Sequence, residues 1–374
     1  VDRFAGETFD LLGSDRSRVV TTEDGVSLAI REVGPADAPL TAVFVHGFCN
    51  RMEGWHFQRV HLERVWGPTV RLVFYDHRGH GRSGSARRTT CTISQLARDL
   101  DTVVREVVPD GPLVLVGHSM GGMTLLSYAG QFPDSFGDRV VGVGLVSTSA
   151  GALSESGVAR TLGSPVVTGF RVAAQRLPWV VQGGRDATRR VIAPMIRSAS
   201  FGARHVSPTV TRFSDSMIND TPLQTLVDFL PTFEQHDETA ALPVLTRVPT
   251  LVLCGSRDLI TPLRNSRVIA EQLPEATMLR VPGAGHMVQL ECPELVSDAL
   301  DELLTQAVES LPAEPDWTDS LVGFVRRQVS RWNRLGRAAG RQVRRAGRFA
   351  GLTGGARREI GPAGIEVGQN RRMS

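Results

Sequence analysis

Short apolar runs, each closed by glycine or a polar cluster, recur along the chain and read as buried strands. They are Leu40–Val45, Arg71–Tyr75, the run from Leu113, Val140–Ser147, Thr250–Leu253 and Thr277–Val281. Ahead of them, Arg18–Val33 alternates apolar and polar residues about an Asp24-Gly25 turn, which predicts a hairpin. Between them the period changes. Ser94–Val107 puts Leu96, Leu100, Val103, Val104 and Val107 on one helical face, and Pro293–Ser310 does the same with Leu295, Ala299, Leu303 and Leu304. Strands alternating with helices predict an α/β fold, a mostly parallel central sheet with helices on both faces. Residues 151–245 interrupt this order with helical patterns broken by Pro165, Pro178, Pro194, Pro208, Pro222 and Pro231. A crossover of that length is a subdomain rather than a loop. The expected organisation is a core of residues 1–150 and 246–311, a helical cap of 151–245 and a tail of 312–374.

The sharpest local signal is Leu113–Ala129, LVLVGHSMGGMTLLSYA, in which an apolar strand breaks at Gly117-His118-Ser119-Met120-Gly121 and resumes as a helix. Glycines flanking Ser119 permit a turn so tight that its side chain stands clear at the strand's end. Ser119 is the candidate nucleophile. Two later strands end in polar loops of interest. Thr250–Leu253 runs into Cys254-Gly255-Ser256-Arg257-Asp258, and Thr277–Val281 into Pro282-Gly283-Ala284-Gly285-His286. In a parallel sheet all strand carboxyl ends lie along one edge, so Ser119, Asp258 and His286 are expected to meet there. A serine needs a base to lose its proton at neutral pH, and the base needs a carboxylate to fix its tautomer and stabilise the imidazolium. His118 reads as a spacer beneath the elbow, Cys49 as packing, Glu291 as a cap of the following helix, and His205 and His236 as structural or solvated.

Composition bounds the remaining classes. At 374 residues with 41% hydrophobic content, the chain can bury a large core. No apolar stretch approaches the ~20 residues of a membrane span, and VDRFAGETFD lacks a secretory pattern, so a cytoplasmic protein is expected. The four cysteines, at 49, 91, 254 and 292, have no metal-ligand spacing. Neither a disulfide framework nor a metal or other cofactor is anticipated. Every one of the 42 basic residues is arginine, and 13 of them fall in residues 316–374 against four acids there. Within 317–352, Leu321, Phe324, Val325, Trp332, Leu335, Ala339, Val343 and Ala346 fall on one side of a helix and the arginines on the other. That pattern suits a helix lying on an anionic membrane surface, one docked on the acidic body of the protein, or a merely solvated basic extension. Gly336, Gly340 and Gly347 weaken it by about 1 kcal/mol each relative to alanine, and disorder is expected past Gly354. Nucleic acid is disfavoured, because the tail carries no recognition motif and few aromatics for base stacking. Nothing in the sequence specifies an oligomeric state.

With these residues in place, the chain resembles the α/β-hydrolase family, whose members carry nucleophile, acid and histidine in this order. The likeness covers residues 19–148 and 246–307. It implies Ser119 as nucleophile, Asp258 as acid, His286 as general base, and the backbone N–H groups of Phe48 and Met120 as the oxyanion hole, the former from the His46-Gly47-Phe48 loop. Asp76-His77-Arg78-Gly79-His80-Gly81-Arg82-Ser83 matches the family's D-x-R-G-x-G-x-S loop, a scaffold element. GHSMGG and the late acid look most like serine esterases and monoacylglycerol-lipase-like hydrolases, which implies a small-molecule ester substrate, lipid-like or of medium chain. Epoxide hydrolases and haloalkane dehalogenases of this fold carry aspartate where this chain has Ser119. The cap tyrosines of epoxide hydrolases are also missing, since Tyr75 and Tyr128 both precede the cap. Carbon-carbon bond hydrolases, perhydrolase-like enzymes and acyltransferases share the triad and stay open, as does a ligand- or protein-binding member of the fold.

Overall fold

The computed structural model describes residues 2–9, 15–153, 197–202, 206–311 and 367–368. Among the described residues, eight strands, β1 (Arg16–Thr21), β2 (Ser27–Val33), β3 (Leu40–Val45), β4 (Val70–Tyr75), β5 (Leu113–His118), β6 (Val140–Val146), β7 (Thr250–Gly255) and β8 (Thr277–Val281), run in the order β1-β2-β4-β3-β5-β6-β7-β8 in a nine-stranded sheet whose last member is the two-residue strand Val367–Gly368. The hairpin β1–β2 is antiparallel and joins β4 antiparallel. From β4 onward all pairings among these strands are parallel, including β3 with β5 and β5 with β6. Each boundary lies within two residues of the sequence expectation, because a continuous apolar run ends where its last buried side chain does.

Alternation along the strands sends side chains to two cores. Val43, Val45, Tyr75, Leu115, Val143 and Val252 face one way, against Leu100 and Val103 of α2 (Ile93–Val107) and Leu125 of α3 (Met120–Gln131). Ala42, Phe44, Phe74, Val116 and Leu253 face the other, against Leu62 and Trp66 of α1 (His56–Trp66) and Val296, Leu300 and Leu304 of a C-terminal helix, Pro293–Glu309. The sheet is thus covered on both faces, as a parallel sheet requires.

Between β6 and β7 the described part of the insertion supplies α4 (Pro208–Asp220) and α5 (Leu223–Glu234). Pro208 occupies the first turn of α4, where its missing N–H costs nothing. Pro231, expected to break the helical pattern, instead lies inside α5; in place of one backbone hydrogen bond the helix keeps Val227, Phe229 and Phe233 buried. After β7 come α6 (Leu263–Gln272) and, beyond β8, α7 (Val288–Glu291) and α8, the Pro293–Glu309 helix. The N-terminal segment, to which the sequence reading gave no role, straps the insertion. Asp2 accepts hydrogen bonds from the Thr209 N–H and the Ser207 hydroxyl at the start of α4, which hold its carboxyl down at about 2. Phe9 stacks on Phe213 with centroids 4.0 Å apart.

The expected cap residues 154–196, His205 and the basic stretch 317–352 lie outside the described residues. Of the tail, Val367–Gly368 pairs antiparallel with Leu279 and Met278 of β8. That pairing uses unpaired backbone groups at the open edge of β8; the rest of the stretch past Gly354, for which disorder is expected, lies outside the described residues. No described helix is long and apolar enough to cross a membrane.

Candidate active site

β5, β7 and β8 are parallel neighbours or next neighbours, so the loops leaving their carboxyl ends share one edge. Ser119 joins β5 to α3 with φ 54° and ψ −118°, a conformation that costs a non-glycine residue about 1–3 kcal/mol. Close packing enforces it. A Cβ on Gly121 would lie 2.2 Å from the Val45 carbonyl oxygen, and one on Gly117 would lie 2.6 Å from the Gly121 carbonyl carbon. Only bare glycine backbone lets helix, elbow and β3 approach so closely. The Ser119 N–H donates to the Val146 carbonyl, and the Thr148 hydroxyl donates to the Ser119 carbonyl at 2.7 Å, which pins the turn from β6.

The three candidate residues meet. His286 Nε2 lies 2.9 Å from Ser119 Oγ, and His286 Nδ1 lies 2.8 Å from Asp258 Oδ2. All three are buried, with 4 to 7% of their surface exposed. A carboxylate only accepts, so the proton of a neutral His286 sits on Nδ1 and leaves the Nε2 lone pair facing the serine hydroxyl. Asp258 is itself fixed: Oδ1 accepts from the Ile260 and Thr261 N–H groups at 2.8 and 2.9 Å, and the Thr261 hydroxyl donates to Oδ2 at 2.9 Å. Thr261 was missed in the sequence, although a residue three positions after an aspartate that folds back on its own backbone is a recognisable turn position.

His118 also does more than space the elbow. Its Nε2–H donates to the His286 carbonyl oxygen at 2.9 Å, tying the histidine loop to the serine turn. Burial, reinforced by the neighbouring His286, pushes its pKa down to about 3, so it stays neutral. Glu291, expected to cap the next helix, instead reaches the backbone of Gly285 and Gly202. Cys49 is buried and its thiol is pushed far up by burial, in keeping with packing. His236 is buried, with Nε2 2.8 Å from the Ser149 carbonyl, a structural contact.

The His46-Gly47-Phe48 loop lies against the elbow. A Cβ on Gly47 would be 3.0 Å from Ser119 Cβ and 2.8 Å from His118 Nδ1. Cys49, at φ 57°, turns the chain immediately after Phe48. Among the described residues, no backbone or side-chain group accepts from the N–H of Phe48 or of Met120, and the latter sits in the first turn of α3, where N–H groups have no partner within the helix. Beneath this loop the first part of the D-x-R-G-x-G-x-S segment, Asp76 to His80, is a buried scaffold. Arg78 binds Asp99 through two contacts of 2.6 Å and Asp24 through two of 2.8 and 2.9 Å, while Asp76 accepts from the Met52 and Arg82 N–H groups.

Among the described residues one set of potential metal ligands comes together, His61, Asp298 and Asp301 between α1 and α8. It is remote in sequence from the elbow and is already satisfied in part, since His61 pairs with Asp301 at 2.6 Å and the Trp66 indole donates to the same carboxylate.

The buried histidines set an acid limit on stability. His118 falls to about 3 and His80 to about 4 through burial, and burial lowers His46, His77 and His236 as well. Below their ordinary value of 6.5 the unfolded chain takes up protons that the fold refuses. Stability from these groups is therefore complete above pH 6.5 and declines toward pH 4, His118 and His80 each contributing a slope approaching about 1.4 kcal/mol per pH unit. Asp76, pushed up to about 7 by burial, and Asp99, also raised, act in the opposite sense but are outnumbered. Thermal melts at pH 7.5, 6 and 5 should show a falling Tm; a constant or rising Tm would contradict this.

A parallel sheet with a strained serine elbow, and an acid and a histidine on the loops of two later strands, defines a hydrolase architecture. A family model described as alpha/beta hydrolase fold matches residues 43–293, and the chain belongs to that family. It is 28% identical over 288 residues to a proline iminopeptidase from Pestalotiopsis fici, covering 73% of this chain and 94% of that protein. It is 27% identical to a monoacylglycerol lipase from Mycolicibacterium smegmatis, covering 66% and 80% respectively. Among solved structures, a thermophilic esterase from Thermogutta terrifontis superposes with a TM-score of 0.62 at 26% identity, covering 78% of this chain and 99% of that one.

Proposed function

We propose that the protein is a serine hydrolase that cleaves carboxylic esters through an acyl-enzyme on Ser119. The single observation that carries this reading is the continuous contact from Ser119 Oγ to His286 Nε2 and from His286 Nδ1 to Asp258, at 2.9 and 2.8 Å. His286 takes the serine proton as Oγ attacks the substrate carbonyl, Asp258 stabilises the resulting imidazolium, and the N–H groups of Phe48 and Met120 receive the oxyanion. His286 then returns the proton to the leaving alcohol. Water attacks the acyl-enzyme by the same route in reverse, releasing the acid and regenerating the serine.

Lipid-like or medium-chain acyl esters are the favoured substrates. Phe48 packs on Phe229 and Phe233 of α5, with centroids 6.2 and 5.1 Å away, and the same cluster contains Met120 and Met123. The wall beside the oxyanion loop is therefore apolar. In this reading residues 151–245 form the cap over the site. A p-nitrophenyl ester series should give kcat/KM rising from acetate to butyrate or octanoate; a maximum at acetate with a fall at octanoate would contradict the preference. The arginine-rich segment 317–352 is proposed to bring the enzyme to anionic membrane surfaces as a peripheral protein. Full-length protein should co-sediment with anionic vesicles at low salt and release as salt rises, whereas protein ending at Pro312 should stay in the supernatant. Equal sedimentation of the two would contradict this role.

A further inference from the structure

The backbone of the loop that carries His286 is held from three directions. The elbow holds it through His118, whose Nε2–H donates to the His286 carbonyl at 2.9 Å. The acid loop holds it through the Arg257 N–H, which donates to the Ala284 carbonyl at 2.8 Å. The third hold comes from the insertion between β6 and β7. There the Met287 N–H donates to the Ser200 carbonyl at 2.9 Å, and Glu291 bridges the two segments. Its Oε1 accepts from the Gly285 N–H at 2.7 Å and its Oε2 from the Gly202 N–H at 3.1 Å. The contact is bare backbone on both sides: a Cβ on Gly285 would lie 2.3 Å from the Gly202 nitrogen, and one on Gly202 would lie 2.5 Å from the Gly285 nitrogen.

We propose that Glu291 is a positioning residue for the general base, and that by gripping Gly285 and Gly202 together it makes the alignment of His286 depend on the seating of the insertion. The inference rests on the serine-hydrolase reading. Gly285 is the residue immediately before His286, so a shift of its amide rotates the imidazole relative to Ser119 Oγ, and an error of about 1 Å at a reacting group can cost about 100-fold in rate. The two N–H groups meet different oxygens of Glu291, Oε1 and Oε2, so both contacts as they stand need acceptors at both ends of the carboxylate. A glutamine keeps the shape but turns an NH2 toward one of them. An aspartate keeps both acceptors on a stem one methylene shorter and reaches one N–H at a time.

The test is Glu291→Gln on the full chain with p-nitrophenyl butyrate, followed by kcat, KM, melting temperature and the rate of fluorophosphonate labelling. The expected result is a kcat lower by about 10- to 100-fold, with KM changed by less than about twofold, labelling slowed by a similar factor and Tm within a few degrees of wild type. Glu291→Asp should fall between the two, and it carries the test if the glutamine variant does not fold. Unchanged kcat and labelling in a folded variant would overturn the proposal. So would a loss of kcat that only tracks the fraction of protein folded. A wild type that neither turns over nor labels would instead remove the serine-hydrolase reading itself, an outcome distinct from a variant that equals an active wild type.

Discussion

Replacing Ser119 by alanine should lower kcat for p-nitrophenyl butyrate by a factor on the order of 10⁵ to 10⁶ while leaving the protein folded. The substitution deletes one atom. The strained backbone is imposed by Gly117, Gly121 and the neighbouring strand rather than by the serine side chain, and Ser119 Oγ bonds only to His286 among the described residues. Alanine therefore keeps the elbow and its burial, and removes the proposed nucleophile. On the proposed mechanism KM should change little, because the apolar residues beside Phe48 and the proposed oxyanion donors, the N–H groups of Phe48 and Met120, all stay. A variant retaining more than about 1% of wild-type kcat would contradict the assignment of Ser119.

Asp258→Asn should lower kcat by about 10⁴-fold, and here the surroundings of the acid decide the outcome. Oδ1 of Asp258 accepts from two backbone N–H groups, Ile260 and Thr261. An asparagine keeps those two bonds only by pointing its carbonyl oxygen at them, which forces its NH2 toward His286 Nδ1. The imidazole must then accept at Nδ1 and carry its proton on Nε2, where it faces Ser119 and can no longer take the hydroxyl proton. The Thr261 hydroxyl, now beside the NH2, can turn to accept from it, so the fold should tolerate the change. Circular dichroism and melting should therefore match wild type. A loss smaller than about tenfold would show that another group orients the base.

The elements that carry these residues were readable in the sequence because each depends on local signals. The strand ending at His118 is six consecutive buried residues, and the elbow glycines are demanded by the close approach of Gly117 to the start of α3 and of Gly121 to the end of β3. The acid and the histidine could be paired with Ser119 because parallel strands bring their carboxyl ends to one edge whatever lies between them. What was not readable depends on loops meeting from distant parts of the chain. Glu291 looks like a helix-start acid in sequence, and only the arrival of Gly202 and Gly285 at its two oxygens reveals another role. The strap of Asp2 and Phe9 on α4 has no periodicity to announce it, and Thr261 and His118 gain their roles from a histidine 25 and 168 residues away respectively. The edge pairing at Val367 likewise depends on a strand almost ninety residues earlier.

The central claim is that Ser119 is a nucleophile activated by His286. It is tested most directly by reacting the full-length protein with a fluorophosphonate and mapping the adduct by peptide mass spectrometry. The account predicts one covalent adduct per chain on the peptide containing Gly117-His118-Ser119-Met120-Gly121, absent in Ser119→Ala and strongly slowed in His286→Ala. An unlabelled wild type, or an adduct on any other residue, would contradict it.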